Sequence, residues 1–307
     1  NDIEVYQTFS AKLGLSATPK RWWDDIGTEK VKELFNRVIY SYSLEDAIDN
    51  GYLTPYKYHP IPIDLTVDET TKYLKLSKSI SSIYMQNKNI KSEDDDNLKT
   101  LLIKRSRLIQ NAENKLTTFK DVFSKENKGF SLVYCAPGSI KQYTKVVNSL
   151  DVSVQRFDSS VSFIHRKQIL DRFEQGKLQT LTAMKCLDEG VDVPATRQAF
   201  FVASTTNPRE FIQRRGRILR KSKGKKYAEI YDFIIIPNSN EMDNKEAKSL
   251  VKHEIPRFHE FAQYSLNKYE AQGIIEPILK IFQLDNYLDK SSWEVYEESK
   301  EDNEYGK

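Results

Sequence analysis

Gln213-Arg214-Arg215-Gly216-Arg217-Ile218-Leu219-Arg220 sets four arginines within eight residues, with a glycine among them and a glutamine in front. Arginine suits the gripping of phosphate oxygens, because its guanidinium is planar, permanently charged and able to donate two parallel hydrogen bonds. On a helix, Arg217 and Arg220 stand three residues apart and project from one face, where two forks can meet a single polyphosphate. Taken alone, the stretch is equally a solvated basic helix end. Residues 205–226 add Arg209, Lys221, Lys223, Lys225 and Lys226, against the single acid Glu210. Net charge is only +3 over 307 residues, so the signal lies in its distribution: a basic face here and an acidic end over residues 292–307. Lys223-Gly224-Lys225-Lys226 reads as a charged turn.

From Gly129 onward, short apolar runs alternate with amphipathic stretches, the pattern of a parallel α/β sheet. Five strands are expected, at residues 130–135, 152–157, 179–184 and 198–203 and at Ala228–Ile236, the last closed by Pro237. Ser162 is placed to cap a helix that turns Ile169, Leu170 and Phe173 inward and ends at Gly176. Residues 207–220 are expected to be helical. Before the alternation, residues 29–40 read as a helix leading into a strand near 37–42. A short capped helix over 43–48 is stopped by Gly51, and residues 55–62 are extended. Residues 68–126 read as mostly helical, broken at the polar run 91–97. After it, Val251, Ile255, Phe258, Ala262 and Leu266 recur at helical spacing, predicting a long amphipathic packing helix begun or interrupted at Pro256.

No apolar run approaches the roughly 20 residues that a membrane span needs. Cys135 and Cys186 both sit in apolar segments, as buried thiols of a reducing compartment do. The four histidines have no zinc-ligand spacing, so no metal site is expected.

Two further stretches extend the reading. Ala183-Met184-Lys185-Cys186-Leu187-Asp188-Glu189-Gly190-Val191-Asp192-Val193-Pro194 precedes the arginine run, and Leu15-Ser16-Ala17-Thr18-Pro19 stands near the N-terminus. In this order the three resemble motifs III, V and VI of superfamily 2 helicases and translocases, and residues 130–135 resemble motif IV. The likeness covers most of residues 10–240. It implies an α/β fold: a RecA-like, P-loop NTPase-type parallel-sheet domain with a helical insertion and a helical C-terminal extension. Such proteins hold ATP and Mg2+ between paired domains, the first carrying a phosphate-cradling Gly-x-x-x-x-Gly-Lys-Ser/Thr loop and an Asp-Glu pair. This sequence has no such loop, and Asp24-Asp25 falls after the motif III position. The expected organisation is therefore the end of domain one (1–50), a connector (51–62), a helical segment (63–128), domain two (129–240) and a helical extension with an acidic tail (241–307).

By this resemblance, Arg217 and Arg220 are arginine fingers and Gln213 sits beside the phosphates. Gly190 brings the backbone close to the nucleotide, Asp192 bonds the ribose or orients a finger, and Glu189 is the acid of related translocases. Arg214 pairs with acids across the cleft, and Arg215 is structural. Many relatives carry threonine at the position of Met184 to meet the nucleic-acid backbone; Thr182, two residues away on the same strand face, is the expected substitute. The loop Pro137-Gly138-Ser139 offers amides and a hydroxyl to phosphates, with Arg166 and Lys141 as weaker candidates. Ser16 and Thr18 couple hydrolysis to domain movement.

The function implied is the C-terminal motor half of an ATP-dependent helicase or translocase, inactive without its own N-terminal RecA-like domain. DNA, bound without regard to sequence, is favoured over RNA because RNA-remodelling members begin motif VI with histidine. The motif V wording and the connector point to the repair and restriction branch, hence to a cytoplasmic, bacterial setting and a nuclease or other defence or repair subunit as partner. The alternatives are a catalytically silent nucleic-acid scaffold and the motor subunit of a restriction-type nuclease.

Overall fold

The computed structural model describes residues 8–20, 24–86, 96–184, 193–203, 207–291, 293–295 and 297–298. Asp24 opens α1 (Asp25–Phe35), its carboxylate accepting from the Gly27 amide at 2.7 Å. The strand expected near 37–42 does not form. Val38, Ile39 and Tyr40 stand 74–78 % exposed, with no neighbouring strand among the described residues to complete a ladder. The short capped helix is α2 (Leu44–Asp49): Ser43 and Asp46 form a reciprocal capping box, and Gly51 leaves it at φ +73°.

The extended stretch that follows is β1 (Tyr56–Asp64), and it joins the sheet. The helical segment comprises α3 (Val67–Gln86), α4 (Asp96–Gln110) and α5 (Glu113–Glu126). The polar break expected at 91–97 lies largely outside the described residues, and Asp96 and Asn97 open α4. The alternation then reads β2 (Ser131–Tyr134), α6 (Ile140–Asn148), β3 (Val154–Phe157), α7 (Phe163–Glu174), β4 (Thr180–Ala183), β5 (Gln198–Phe201), α8 (Pro208–Ile218) and β6 (Ala228–Ile236). Ser162 caps α7 as expected, accepting from the His165 amide.

All strands are parallel, in the order β1-β6-β5-β2-β4-β3, so the sheet has six strands rather than five. β1 pairs with β6 along its whole length and forms one edge. Pro60 and Pro62 are tolerated there because alternate residues turn their backbone to the same side, and that side is the open edge. At the edge, Asn267 stands in for a further strand: its Oδ1 accepts from the Tyr58 amide at 2.8 Å and its Nδ2 donates to the Tyr58 carbonyl at 2.9 Å.

The pleat sends alternate residues to two cores. On one face, Phe119 and Phe123 of α5 pack on Phe200, with Phe119 also against Phe233. On the other, Phe211 of α8 and Phe258 and Phe261 of the extension close around Tyr58 and Phe201. The extension is two helices rather than one, α9 (Lys245–Ala262) and α10 (Lys268–Ile281). α9 runs straight through Pro256. Burying Val251, Ile255, Phe258, Phe261 and Ala262 outweighs the roughly 3 kcal/mol that an interior proline costs, at about 1.5–3 kcal/mol for each large side chain. Leu266 lies past the end of α9 and is 62 % exposed, so it is not on the packed stripe.

Candidate functional site around the arginine-rich helix

Asn207 caps α8 by accepting from the Arg209 amide at 3.1 Å, and Pro208 takes the first turn, where its missing N–H costs nothing. The face turned to the sheet carries Phe211, Arg214, Arg215 and Ile218, all buried. Arg214 lies over the Tyr134 ring, 5.0 Å from its centroid, and pairs with Glu210 one turn back at 3.4 Å. These contacts hold it against its own helix and β2. Arg215 pairs with Glu260 of α9 at 2.6 Å, donates also to the Glu260 carbonyl, and lies over Phe261. Its structural reading agrees with these contacts.

Gln213 and Arg217 are half-buried and Arg220 is exposed. The helix ends at Ile218 with Leu219 as its C-cap, so Arg217 and Arg220 do not share a helical face as the spacing implied. Arg220 instead stands in an antiparallel bridge with Leu53 of the connector. The Thr54 amide donates to the Leu219 carbonyl at 2.7 Å. Lys225, read from sequence as part of a surface turn, folds back so that its ammonium donates to the carbonyls of Ile218 and Arg220. No sequence signal separates Lys225 from Lys223 and Lys226 beside it.

A second group gathers where the strands end. Gly138, at φ +89°, and its exposed loop follow β2. Ser139 is buried and its hydroxyl donates to the Ala136 carbonyl at 3.0 Å, so the side chain expected to meet phosphate is turned inward. Arg166 donates to the Asp158 carbonyl at 3.2 Å beyond β3 and lies over Phe157. Thr182 is fully buried, 2.7 Å from the Thr144 hydroxyl. β4 is covered on both faces, which rules out Thr182 as a replacement for the missing threonine contact. Ser16 accepts from the Thr18 amide at 3.1 Å in an exposed segment. Glu189, Gly190 and Asp192 lie outside the described residues, as does Cys186, while the Cys135 thiol is buried and its pKa pushed up by that burial. Among the described residues no cluster of His, Cys, Asp or Glu is placed to hold a metal ion, and no helix is long and apolar enough to cross a membrane.

Residues 114–222, from α5 through the arginine-rich helix, match the helicase conserved C-terminal domain. The DNA 3'-5' translocase XPB2 of Sulfurisphaera tokodaii is 25 % identical over 226 residues, spanning 68 % of this chain and 50 % of that protein. A putative helicase of a Sulfolobus islandicus filamentous virus is 26 % identical over 230 residues, spanning 73 % of this chain and 38 % of that protein. A probable helicase of African swine fever virus is 23 % identical over 291 residues, spanning 88 % of this chain and 29 % of that protein. Over residues 114–222 the chain is thus similar to a helicase conserved C-terminal domain, and the expected parallel α/β sheet is present. The chain spans half or less of the length of these relatives.

Proposed function

We propose that the chain is the C-terminal motor half of an ATP-dependent DNA helicase or translocase. The observation that carries this reading is the division of labour on α8. Arg214 and Arg215 are buried against the sheet and α9, whereas Gln213 and Arg217 are half-buried on the helix and Arg220 is exposed just past its end. Their chemistry fits a polyphosphate, since guanidinium forks donate in the plane that phosphate oxygens accept. ATP would supply the phosphoanhydride bond whose hydrolysis drives movement and Mg2+ would offset its charge, and we assign both mainly to a preceding RecA-like domain with a phosphate loop.

Within this chain, Arg217 and Arg220 offset charge developing on the phosphoryl oxygens, a role typically worth about 10³–10⁵ in rate. Gln213 positions water or a neighbouring arginine, and Glu189, Gly190 and Asp192 complete the nucleotide side. Gly138 offers its backbone to a nucleic-acid phosphate, with Arg166 beside the same strand ends, so binding is indifferent to sequence and weakens with salt. Ser16 and Thr18 couple the two domains. The name of the Sulfurisphaera relative, a DNA translocase, supports DNA over RNA. A nuclease or other repair or defence subunit is the partner we assign.

The test is ATP turnover by the full-length protein, with and without duplex or single-stranded DNA, beside Arg217→Ala and Arg220→Ala. DNA-stimulated turnover that falls by about 10³-fold or more in both variants is expected. DNA binding without turnover replaces the motor by a nucleic-acid scaffold. The chain on its own is expected to be inactive.

A further inference from the structure

The backbone of Arg220 is gripped from two sides, and neither grip is required by the fold of the sheet. The last carbonyls of a helix have no partner within it and carry the negative end of its dipole. An ammonium has three donors and no acceptor, which makes it a fitting cap for such carbonyls. Lys225 supplies it. Its Nζ donates to the Ile218 carbonyl and, at 2.9 Å, to the Arg220 carbonyl, and reaches the Pro194 carbonyl at 3.5 Å. One side chain thereby ties the end of α8, the arginine beyond it and the segment that leads into β5. Burial, and then nearby Arg197, lowers the Lys225 pKa to about 8, so the ammonium is held there by those carbonyls against a desolvation cost.

The second grip comes from the connector. Leu53 forms the antiparallel bridge with Arg220, the Thr54 amide donates to Leu219 at 2.7 Å, and Thr54 is buried. Gly51, at φ +73°, brings the chain into this bridge so closely that a β-carbon there would lie 3.2 Å from the Lys221 ammonium. Two residues after Thr54 the same chain enters β1. A displacement of the connector therefore cannot leave Arg220 where it is.

We propose that Lys225, with Leu53 and Thr54, forms a clamp on the Arg220 backbone, making Lys225 a positioning residue for that arginine and linking the arginine's setting to the connector. The assignment of Arg220 to phosphate rests on the proposed function; the clamp does not.

The first measurement needs no nucleotide. Amide exchange of Thr54 in this chain reports the bridge directly. Lys225→Met should speed it by about tenfold, the equivalent of one net hydrogen bond, while the amides of Phe200 and Ile234 in the central strands keep their protection. Lys225→Arg, which retains donors and charge, should stay near wild type. Unchanged Thr54 exchange in Lys225→Met overturns the clamp. Where that variant does not fold, Lys225→Gln is read in the same way.

The second measurement is turnover in the full-length protein. Lys225→Met should lower kcat with the KM for ATP unchanged, and Lys225→Arg should restore it. If Arg220→Ala abolishes turnover while Lys225→Met leaves kcat intact, the positioning role is overturned. If Arg220→Ala itself leaves turnover unchanged, the finger assignment fails and the clamp stands or falls on Thr54 exchange alone.

Discussion

The two flanks of α8 treat charge in opposite ways. Toward the extension, Asp232 of β6 is fully buried and meets Arg257 Nε at 2.8 Å and the Tyr58 hydroxyl at 3.0 Å. Arg257 reaches on to Glu254 at 2.6 Å, and Lys115 lies buried nearby, donating to the Ile109 carbonyl at 3.0 Å. Toward the connector, Arg220, Lys221, Lys223 and Lys226 are exposed and Arg217 half-buried. A charge closed into a dry network joins elements together; a charge kept at the surface stays solvated and open to a ligand. Adjacent arginines in one motif fall on either side of that line, so the number of arginines does not measure the size of the functional site.

The largest effect should come from breaking the closed flank. Arg257→Leu removes the one cation that Asp232 and Glu254 share and leaves two carboxylates buried without it. Burial opposes the Arg257 charge, yet Asp232 and Glu254 more than offset it and hold its pKa above the ordinary value. Removing one partner of such a group costs about 3–5 kcal/mol, to be read as a lower urea midpoint at unchanged slope. Lys223→Ala, exposed on the open flank, should leave stability within about 0.5 kcal/mol of wild type. Equal losses in the two variants would erase the distinction.

How much of this was legible in the sequence depends on whether the deciding partner is near in the chain. The short helix over 43–48 was readable as capped, because its Ser43 cap closes on Asp46 only three residues on. So was β6, since nine consecutive buried residues make an apolar run. Asp232 hides inside that same run because its partner Arg257 comes from α9. β1 was readable as extended but not as a strand of this sheet, since two prolines argue against a ladder unless the open edge is known to lie on their side. For the arginines, helical spacing put Arg217 and Arg220 on one face although the helix ends at Ile218, and only Glu260, 45 residues on, reveals that Arg215 faces inward. The missing threonine at Met184 invited a substitute from the same strand face; burial of β4 on both sides was invisible to an alternation argument.

Lys115 sharpens the comparison through pH. Burial, partly offset by Glu254, lowers its pKa to about 8 from 10.5. Between those values the unfolded chain binds the proton and the folded chain releases it, so stability should rise with pH across this window. The shift of about 2.5 units corresponds to about 3 kcal/mol at most. Lys225 titrates in the same window, so the comparison must be a difference: wild type minus Lys115→Met, by urea denaturation from pH 7 to 10.5. Wild type should gain on the variant as pH rises, and a flat difference would mean that the ammonium is not paying for its burial.

Tyr58→Phe should give the smallest effect and the most specific one. It deletes a single oxygen from a fully packed ring and leaves the aromatic contacts with Phe258 and Phe261 in place. What is lost is the hydrogen bond to Asp232. A bond to an ionised acceptor contributes about 1.5–3 kcal/mol, and the lower end is expected because Arg257 still serves the same carboxylate. The sign with pH follows from Asp232. Burial, against the pull of Arg257, holds its pKa above 3.8, so the fold favours the protonated acid and its stability contribution declines as pH rises through that raised pKa. Removing the Tyr58 donor lifts that pKa further. The deficit of Tyr58→Phe should therefore be largest above that raised pKa, where Asp232 is ionised, and shrink in acid, where both proteins protonate it. A deficit that does not change with pH would assign the loss to packing rather than to the carboxylate, and would loosen the claim that this flank is organised around its buried charges.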